Sequence, residues 1–214
     1  MSGEAGPFVN TRSNEHPPCG HCCLFALGKN WSEDIVRYLT KSPENQAAGD
    51  NFKTRLSASL TPELLCLLLY RISHYLHVKR WQRLAVVVSR LNLFLHKVSI
   101  TPESCIGPGC RLSHPAGVTF QGRAGRGLTL YSLAVCCARE GFGDGPAERG
   151  PRLGDRVTVG AHAVLMGPIN VGDDSKIPFS VVLDQDSPPG ALVFSRCLRL
   201  IERPVVAPKA TRQT

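Results

Sequence analysis

Aliphatic residues recur at every sixth position through much of the second half of the chain. They stand at Ile100, Ile106, Leu112 and Val118, weaken at Ala124, and return at Leu130 and Cys136. After an irregular glycine-rich stretch, 138–150, the series resumes in a new phase at Leu153, Val159, Leu165, Val171, Ile177 and Leu183. If about a quarter of positions were aliphatic, six successive hits would arise in roughly a few frames per ten thousand. Glycine follows the aliphatic at Gly107, Gly154, Gly160 and Gly172, and compact residues such as Ser104, Cys110, Val157, Ala163 and Ser175 stand four places after it. A period of six matches neither the helical 3.6 nor the strand period of two. It predicts a triangular coil whose faces take six residues each, with aliphatics stacked inward in columns. Small residues suit the corners, and stacking buries what one coil leaves exposed. A β-sandwich would alternate with period two between turns, and no such alternation is present.

Before Ile100 the spacing is helical. Ser32 is a plausible N-cap for a helix carrying Ile35, Val36 and Leu39, and residues 42–51 read as a loop. Thr61-Pro62-Glu63 is a stronger start signal, since it combines a capping hydroxyl, proline at the first helical position and an acid in the first turn. That helix bears an apolar stripe at Leu64, Leu65, Leu68, Ile72 and Leu76, and the next bears Leu84, Val87, Val88, Leu91 and Leu95. Four segments follow: an arm at 1–30 without periodicity, a helical segment at 31–97, the coil at 98–190 and a tail at 191–214. The fold class is α+β, a helical segment followed by a parallel β-helix.

Composition narrows the function. The 214 residues carry a formal net charge of +8, which taken alone reads first as a mildly basic surface and also suits an anionic partner or a phosphate-bearing cofactor. Nucleic acid is disfavoured, because no compact Lys/Arg run is present and aromatics are 7% of the chain. Nine cysteines are irregularly placed for a secreted disulfide framework, the first fifteen residues hold no apolar run, and the longest apolar stretch, Leu64 to Tyr70, is too short to span a bilayer. A cytoplasmic protein with reduced thiols is expected, with no membrane partner. Cys19-Gly-His21-Cys22-Cys23 is the best metal motif, but no second ligand pair stands at a suitable distance, so no metal is expected. His74, His77 and His96 lack a carboxylate–histidine pattern and read as packing or surface residues. Cys136 falls in the repeat register and reads as core.

Three stretches carry a closer likeness. Leu69-Tyr-Arg-Ile-Ser-His-Tyr-Leu, Leu91-Asn-Leu-Phe-Leu and Ile106-Gly-Pro-Gly-Cys-Arg-Leu-Ser-His114-Pro-Ala-Gly-Val118 resemble bacterial serine O-acetyltransferases, as do Gly160-Ala-His-Ala-Val-Leu-Met-Gly-Pro-Ile-Asn-Val-Gly172 and Lys176-Ile with Ser180-Val-Val-Leu183. The likeness covers about residues 62–190. It implies a left-handed coil, where the usual preference for right-handed crossovers would give the opposite hand. It also implies a homotrimer with active sites between neighbouring prisms, and helices that pair trimers into hexamers. Acetyl-CoA would lie near Ala161, His162 and Lys176. The candidate general base maps onto His114, the acceptor's anion clamp onto Arg149 and a second acceptor contact onto Ser113. The chemistry agrees: a hydroxyl is a poor nucleophile at neutral pH, and neutral imidazole is suited to take its proton.

Four positions depart from the family. Ser99 stands where an aspartate would orient the histidine, and Ser113 where an aspartate would meet the acceptor's amino group. Glu148-Arg149-Gly150-Pro151 keeps the arginine of an Asp-Arg-His-Pro segment and loses its histidine. Cys136-Cys-Ala-Arg-Glu140 replaces a Gly-Gly-Thr-Gly stretch. The expected function is acetyl transfer to a hydroxyl of serine or a related small molecule. A sugar or specialised metabolite as acceptor, and a non-catalytic trimeric scaffold, stay open as alternatives.

Overall fold

Three short strands per turn, each ending at a corner, build a three-sided parallel β-helix. The computed structural model describes residues 24–41, 59–138 and 149–193, with the side chains of 24–26 and 41 left aside. Face 1 stacks β1 (Ser99–Ile100), β4 (Thr119–Phe120), β7 (Val135–Cys137), β10 (Val164–Met166) and β13 (Val182–Leu183). Face 2 stacks β2 (Cys105–Ile106), β5 (Arg123–Ala124), β8 (Arg152–Leu153) and β11 (Asn170–Val171). Face 3 stacks β3 (Arg111–Ser113), β6 (Thr129–Tyr131), β9 (Thr158–Val159) and β12 (Lys176–Ile177).

The expected columns are present. Ile106, Ala124, Leu153 and Val171 align on face 2, and Leu112, Leu130, Val159 and Ile177 on face 3, all buried. On face 1 the column is Ile100, Phe120, Cys136, Leu165 and Leu183. Phe120 takes the place that the period gave to Val118, which is instead buried beside the corner. Two extra residues at His114-Pro115 cause the displacement, and the short span from Phe120 to Ala124 restores the frame. The change of phase has an equally simple origin: the sequence surplus between Leu130 and its partner Val159 falls between β7 and β8, where face 1 gives way to face 2.

Corners are tight enough to force left-handed backbone at ordinary residues. Leu133, His162 and Ser180 have φ of 58°, 58° and 56°, and each donates its N–H to a carbonyl one coil earlier. Gly117, at φ 75°, fills the same place in the first coil. Gly107 is required for a different reason: a Cβ there would stand 2.6 Å from the carbonyl oxygen of Gly125 in the coil stacked on it.

The first coil has an open end, and the helices close it. They are α1 (Leu24–Lys41), α2 (Pro62–Val78) and α3 (Gln82–His96). Helix α2 starts as expected, with Thr61 in extended backbone and Pro62 first. Helix α1 begins earlier than expected, so Ser32 lies inside it and not at its cap. The surfaces that dock also differ from the predicted stripes. Leu64 is buried, but the rest of the buried face of α2 comprises Cys66, Leu67, Tyr70, Arg71, Ser73 and His74, and the expected Leu65, Leu68, Ile72 and Leu76 are only half-buried. In α3 only Ala85 and Asn92 are buried, while Leu84, Val87, Leu91 and Leu95 face outward.

Backbone groups on the coil's open end explain the choice. Tyr70 donates its hydroxyl to Ser104 O at 2.9 Å and accepts from Ile106 N at 3.1 Å. Arg71 donates to the carbonyls of Ile106 and Gly107. His74 Nδ1 meets Pro102 O at 2.8 Å, and Ser89 Oγ meets Ile100 O at 3.1 Å. An unpaired β-edge must be satisfied, and solenoids cap theirs. Asp34 of α1, fully buried, accepts from Arg71 Nε at 3.1 Å and from Cys110 N at 2.7 Å, joining both helices to the coil. Residues 1–23, 42–58, 139–148 and 194–214, which include the cysteine-rich motif and the loop expected at 42–51, lie outside the described residues.

Candidate active site

His114 sits directly after β3 at the edge between faces 3 and 1, with its side chain exposed and φ of 55°. The two-residue insertion that displaces Phe120 pushes His114 out of the corner stack, where Gly117 takes the regular left-handed place. Pro115 is buried behind it. Its neighbour Ser113 is half-buried at the end of β3, paired in register with Tyr131. Ser99 begins β1 on face 1, paired with Thr119. Hydroxyl side chains therefore stand at both positions where the family resemblance expects a carboxylate.

Ala161 and His162 occupy the same edge as His114, two coils further along, about 10 Å away by strand spacing. His162 is exposed and left-handed, and its N–H donates to Ser132 O at 3.1 Å. Apolar groups crowd this edge in the open: Tyr131, Leu133 and Phe179, the last 76% exposed. Lys176 points outward from face 3 in the last full coil. It heads an outward column that runs through Thr158 and Thr129 to Arg111.

Arg149 lies elsewhere. Gly150-Pro151 presses on Gln121-Gly122 at the edge between faces 1 and 2, where Pro151 O accepts from Arg123 N at 3.0 Å. Arg149 is half-buried, and its Nε is buried without a hydrogen-bond partner. A Cβ on Gly150 would fall 1.9 Å from Gln121 O, so this backbone admits no histidine at 150. Within one chain, His114 and Arg149 are on opposite edges of face 1, and the fold gathers only Ser113, His114, Ala161, His162 and Lys176 on one side.

Cys136 is fully buried in the face 1 column, and burial pushes its thiol above the usual range; Cys137 beside it is half-buried. Of the other histidines, His74 packs inside and His96 Nδ1 pairs with Asn92 Oδ1 at 3.1 Å. Among the described residues, no group of three or more His, Cys, Asp or Glu could hold a metal ion. Sequence reasoning missed Arg37 and Arg111, which lie against face 3. The outward register of Arg111 was legible one place before Leu112, whereas Arg37 reaches the face only through the docking of α1.

No family model matches the chain. A serine acetyltransferase of Helicobacter pylori is 35% identical over 162 residues, which are 75% of this chain and 90% of that protein. One of Mycobacterium tuberculosis is 33% identical over 126 residues, 58% of this chain and 54% of that protein. Among solved structures, the chain resembles an Entamoeba histolytica serine acetyltransferase isoform in complex with cysteine at a TM-score of 0.69 and 21% identity, covering 87% of this chain and 63% of that one. It resembles the Neisseria gonorrhoeae enzyme in complex with serine at 0.67 and 24%, covering 77% and 65%. The chain thus spans less than two thirds of these structures' length. They share its architecture, a helical cap on a left-handed parallel β-helix. Repeat, cap and a 35% identity that spans 90% of the H. pylori protein agree, and the chain belongs to the serine acetyltransferase family.

Proposed function

We propose that this protein transfers the acetyl group of acetyl-CoA to the hydroxyl of serine or a related small molecule, with His114 as general base. The carrying observation is His114 itself, exposed at an edge that also bears Ala161, His162 and a run of open apolar groups, with Lys176 on the adjoining face. That surface suits a long ligand with an apolar arm and a charged end. The thioester supplies an activated acyl carbon. The unprotonated ring nitrogen of His114 takes the hydroxyl proton as the oxygen bonds to that carbon, and returns it to the sulfur as the carbon–sulfur bond breaks. Lys176 meets phosphate as a point charge.

Arg149, half-buried at its edge, holds the acceptor's acidic group in a two-pronged contact. Because His114 and Arg149 are on opposite edges of one prism, they serve one acceptor only across a homotrimer, possible hexamers being pairs of such trimers. The outward stripe of α3 supports that assembly. Ser113 leaves an ammonium without a charged partner, so the preferred acceptor keeps an acidic group and lacks a free amine. The five free thiols among the described residues support a cytoplasmic setting, and no described helix is long and apolar enough to cross a membrane.

Thioester cleavage is to be followed with serine, N-acylated serine and hydroxy acids. The expected order places N-acylated serine or a hydroxy acid above serine, and His114→Ala lowers turnover by about a hundredfold to ten-thousandfold while sparing CoA affinity. Full turnover in His114→Ala would remove the base. Efficient preference for free serine would restore the plain family acceptor, and absence of both CoA binding and cleavage would leave a scaffold.

A further inference from the structure

Face 3 carries two guanidinium groups, Arg37 and Arg111, that form no ion pair among the described residues. Arg37, one turn beyond the buried Asp34 on α1, crosses onto the face and donates from Nη2 to Thr129 Oγ1 at 3.0 Å. Its path is cut by glycine: a Cβ on Gly127 would come 2.3 Å from Nη1, and one on Gly109 would touch Cδ at 3.7 Å. Thr129 pairs in register with Arg111, one strand spacing of about 4.8 Å away. Arg37 Nε is buried with no hydrogen-bond partner. Burial lowers the Arg37 pKa from its usual value, the Arg111 charge acts in the same direction, and the nearby Asp34 opposes both.

The surrounding carboxylates are committed. Asp34 is held by Arg71, with Cys110 N also donating to it. Glu33 pairs with Arg126 at 3.1 Å, and Asp174 with Arg156 at 2.6 Å. The Arg37 guanidinium is therefore bonded to Thr129, the strand neighbour of Arg111, and the column continues outward through Thr158 to Lys176. Such an arrangement costs energy alone and is relieved by a multiply charged anion. Guanidinium forks match phosphoryl oxygens in charge and geometry, and hydroxyls add neutral donors.

We propose that Arg37 and Arg111, with Thr129, form a binding site for a phosphate-class anion on face 3. The observations that carry the site do not require acetyl transfer. Its occupant is either the phosphorylated end of a CoA-type co-substrate, which rests on the function proposed above, or a separate phosphorylated small molecule.

Inorganic pyrophosphate is the probe, titrated into the full-length protein by calorimetry. Wild type is expected to bind it, and Arg37→Gln and Arg111→Gln each to weaken binding by tenfold or more. Arg152→Gln removes the same charge from the exposed surface of face 2 and should leave binding unchanged. No binding by wild type at millimolar pyrophosphate, or equal losses in all three variants, would overturn the site. If Arg37→Gln unfolds, Arg111→Gln and Arg111→Lys decide alone, because Arg111 is half-buried and outward; the lysine should recover part of the affinity, and undiminished binding in Arg111→Gln would overturn the site. CoA and dephospho-CoA then separate the sources. A CoA phosphate is the occupant if the variants weaken CoA more than dephospho-CoA. A separate ligand is the occupant if neither weakens and pyrophosphate still binds CoA-saturated protein. Absence of acetyl transfer alongside intact pyrophosphate binding would refute the function and leave the site standing.

Discussion

Replacing Asp34 by Asn tests how the helical cap is fastened to the β-helix. Asp34 is fully buried and Arg71 is 3% exposed, so the substitution strands a buried guanidinium without a countercharge, leaving it only neutral acceptors: the new amide oxygen and the carbonyls of Ile106 and Gly107. Removing one partner of such a pair costs about 3–5 kcal/mol, a large part of the roughly 5–15 kcal/mol that holds a typical domain. Urea unfolding, at one fixed protein concentration, should show a midpoint lowered by about 2 M for a slope near 2 kcal/mol per molar. Two comparisons isolate the cause. Asp174→Asn breaks the exposed Arg156–Asp174 pair, whose contacts are shorter at 2.6–2.7 Å, and should leave the midpoint in place. The double variant Asp34→Leu/Arg71→Met removes both charges and should recover part of the loss, since a buried pair is costly to break and much less costly to delete. If Asp34→Asn and Asp174→Asn were equally mild, the desolvated charge would not be what fastens the cap. A double variant as unstable as the single one would show instead that the hydrogen bonds to the coil dominate.

Three further outcomes follow from the same structure. Burial lowers the His74 pKa below its usual 6.5, so the neutral ring's full stability is present above that value and is lost as pH falls through the folded-state pKa; urea midpoints from pH 7.5 to 5 should decline, and His74→Asn should flatten the decline. Gly107→Ala should destabilise by several times as much as Gly190→Ala, because only the first drives a Cβ into backbone, whereas Gly190 meets nothing within 4 Å and costs about 1–2 kcal/mol in left-handed strain; thermal melts of the two variants decide it. Lys176→Ala should weaken CoA binding and reduce its dependence on salt, and calorimetry with an unchanged salt slope would remove Lys176 from the cofactor surface.

The six-residue period was legible in the sequence because it is a local property. Each aliphatic faces inward wherever the prism lies, so the columns through Leu112 and Leu165, the buried Cys136 and the corner residues Ser104 and Ala163 all follow from spacing. The start of α2 at Pro62 was equally local, fixed by proline and its neighbours. His114 was reached through a motif. What spacing could not decide was which side of a helix meets the coil. Helical periodicity groups Leu84, Val87, Leu91 and Leu95, but it carries no information about the open end of a β-helix, whose unpaired carbonyls and amides select Tyr70, Arg71 and His74. Polar groups with partners outrank an apolar stripe at that surface because an unsatisfied backbone group there costs about 1–3 kcal/mol. The insertion at His114-Pro115, the separation of His114 from Arg149 across face 1, and the approach of Arg37 to Arg111 depend on contacts between segments far apart in the chain. Only the stacked coils and their helical cap bring those segments together.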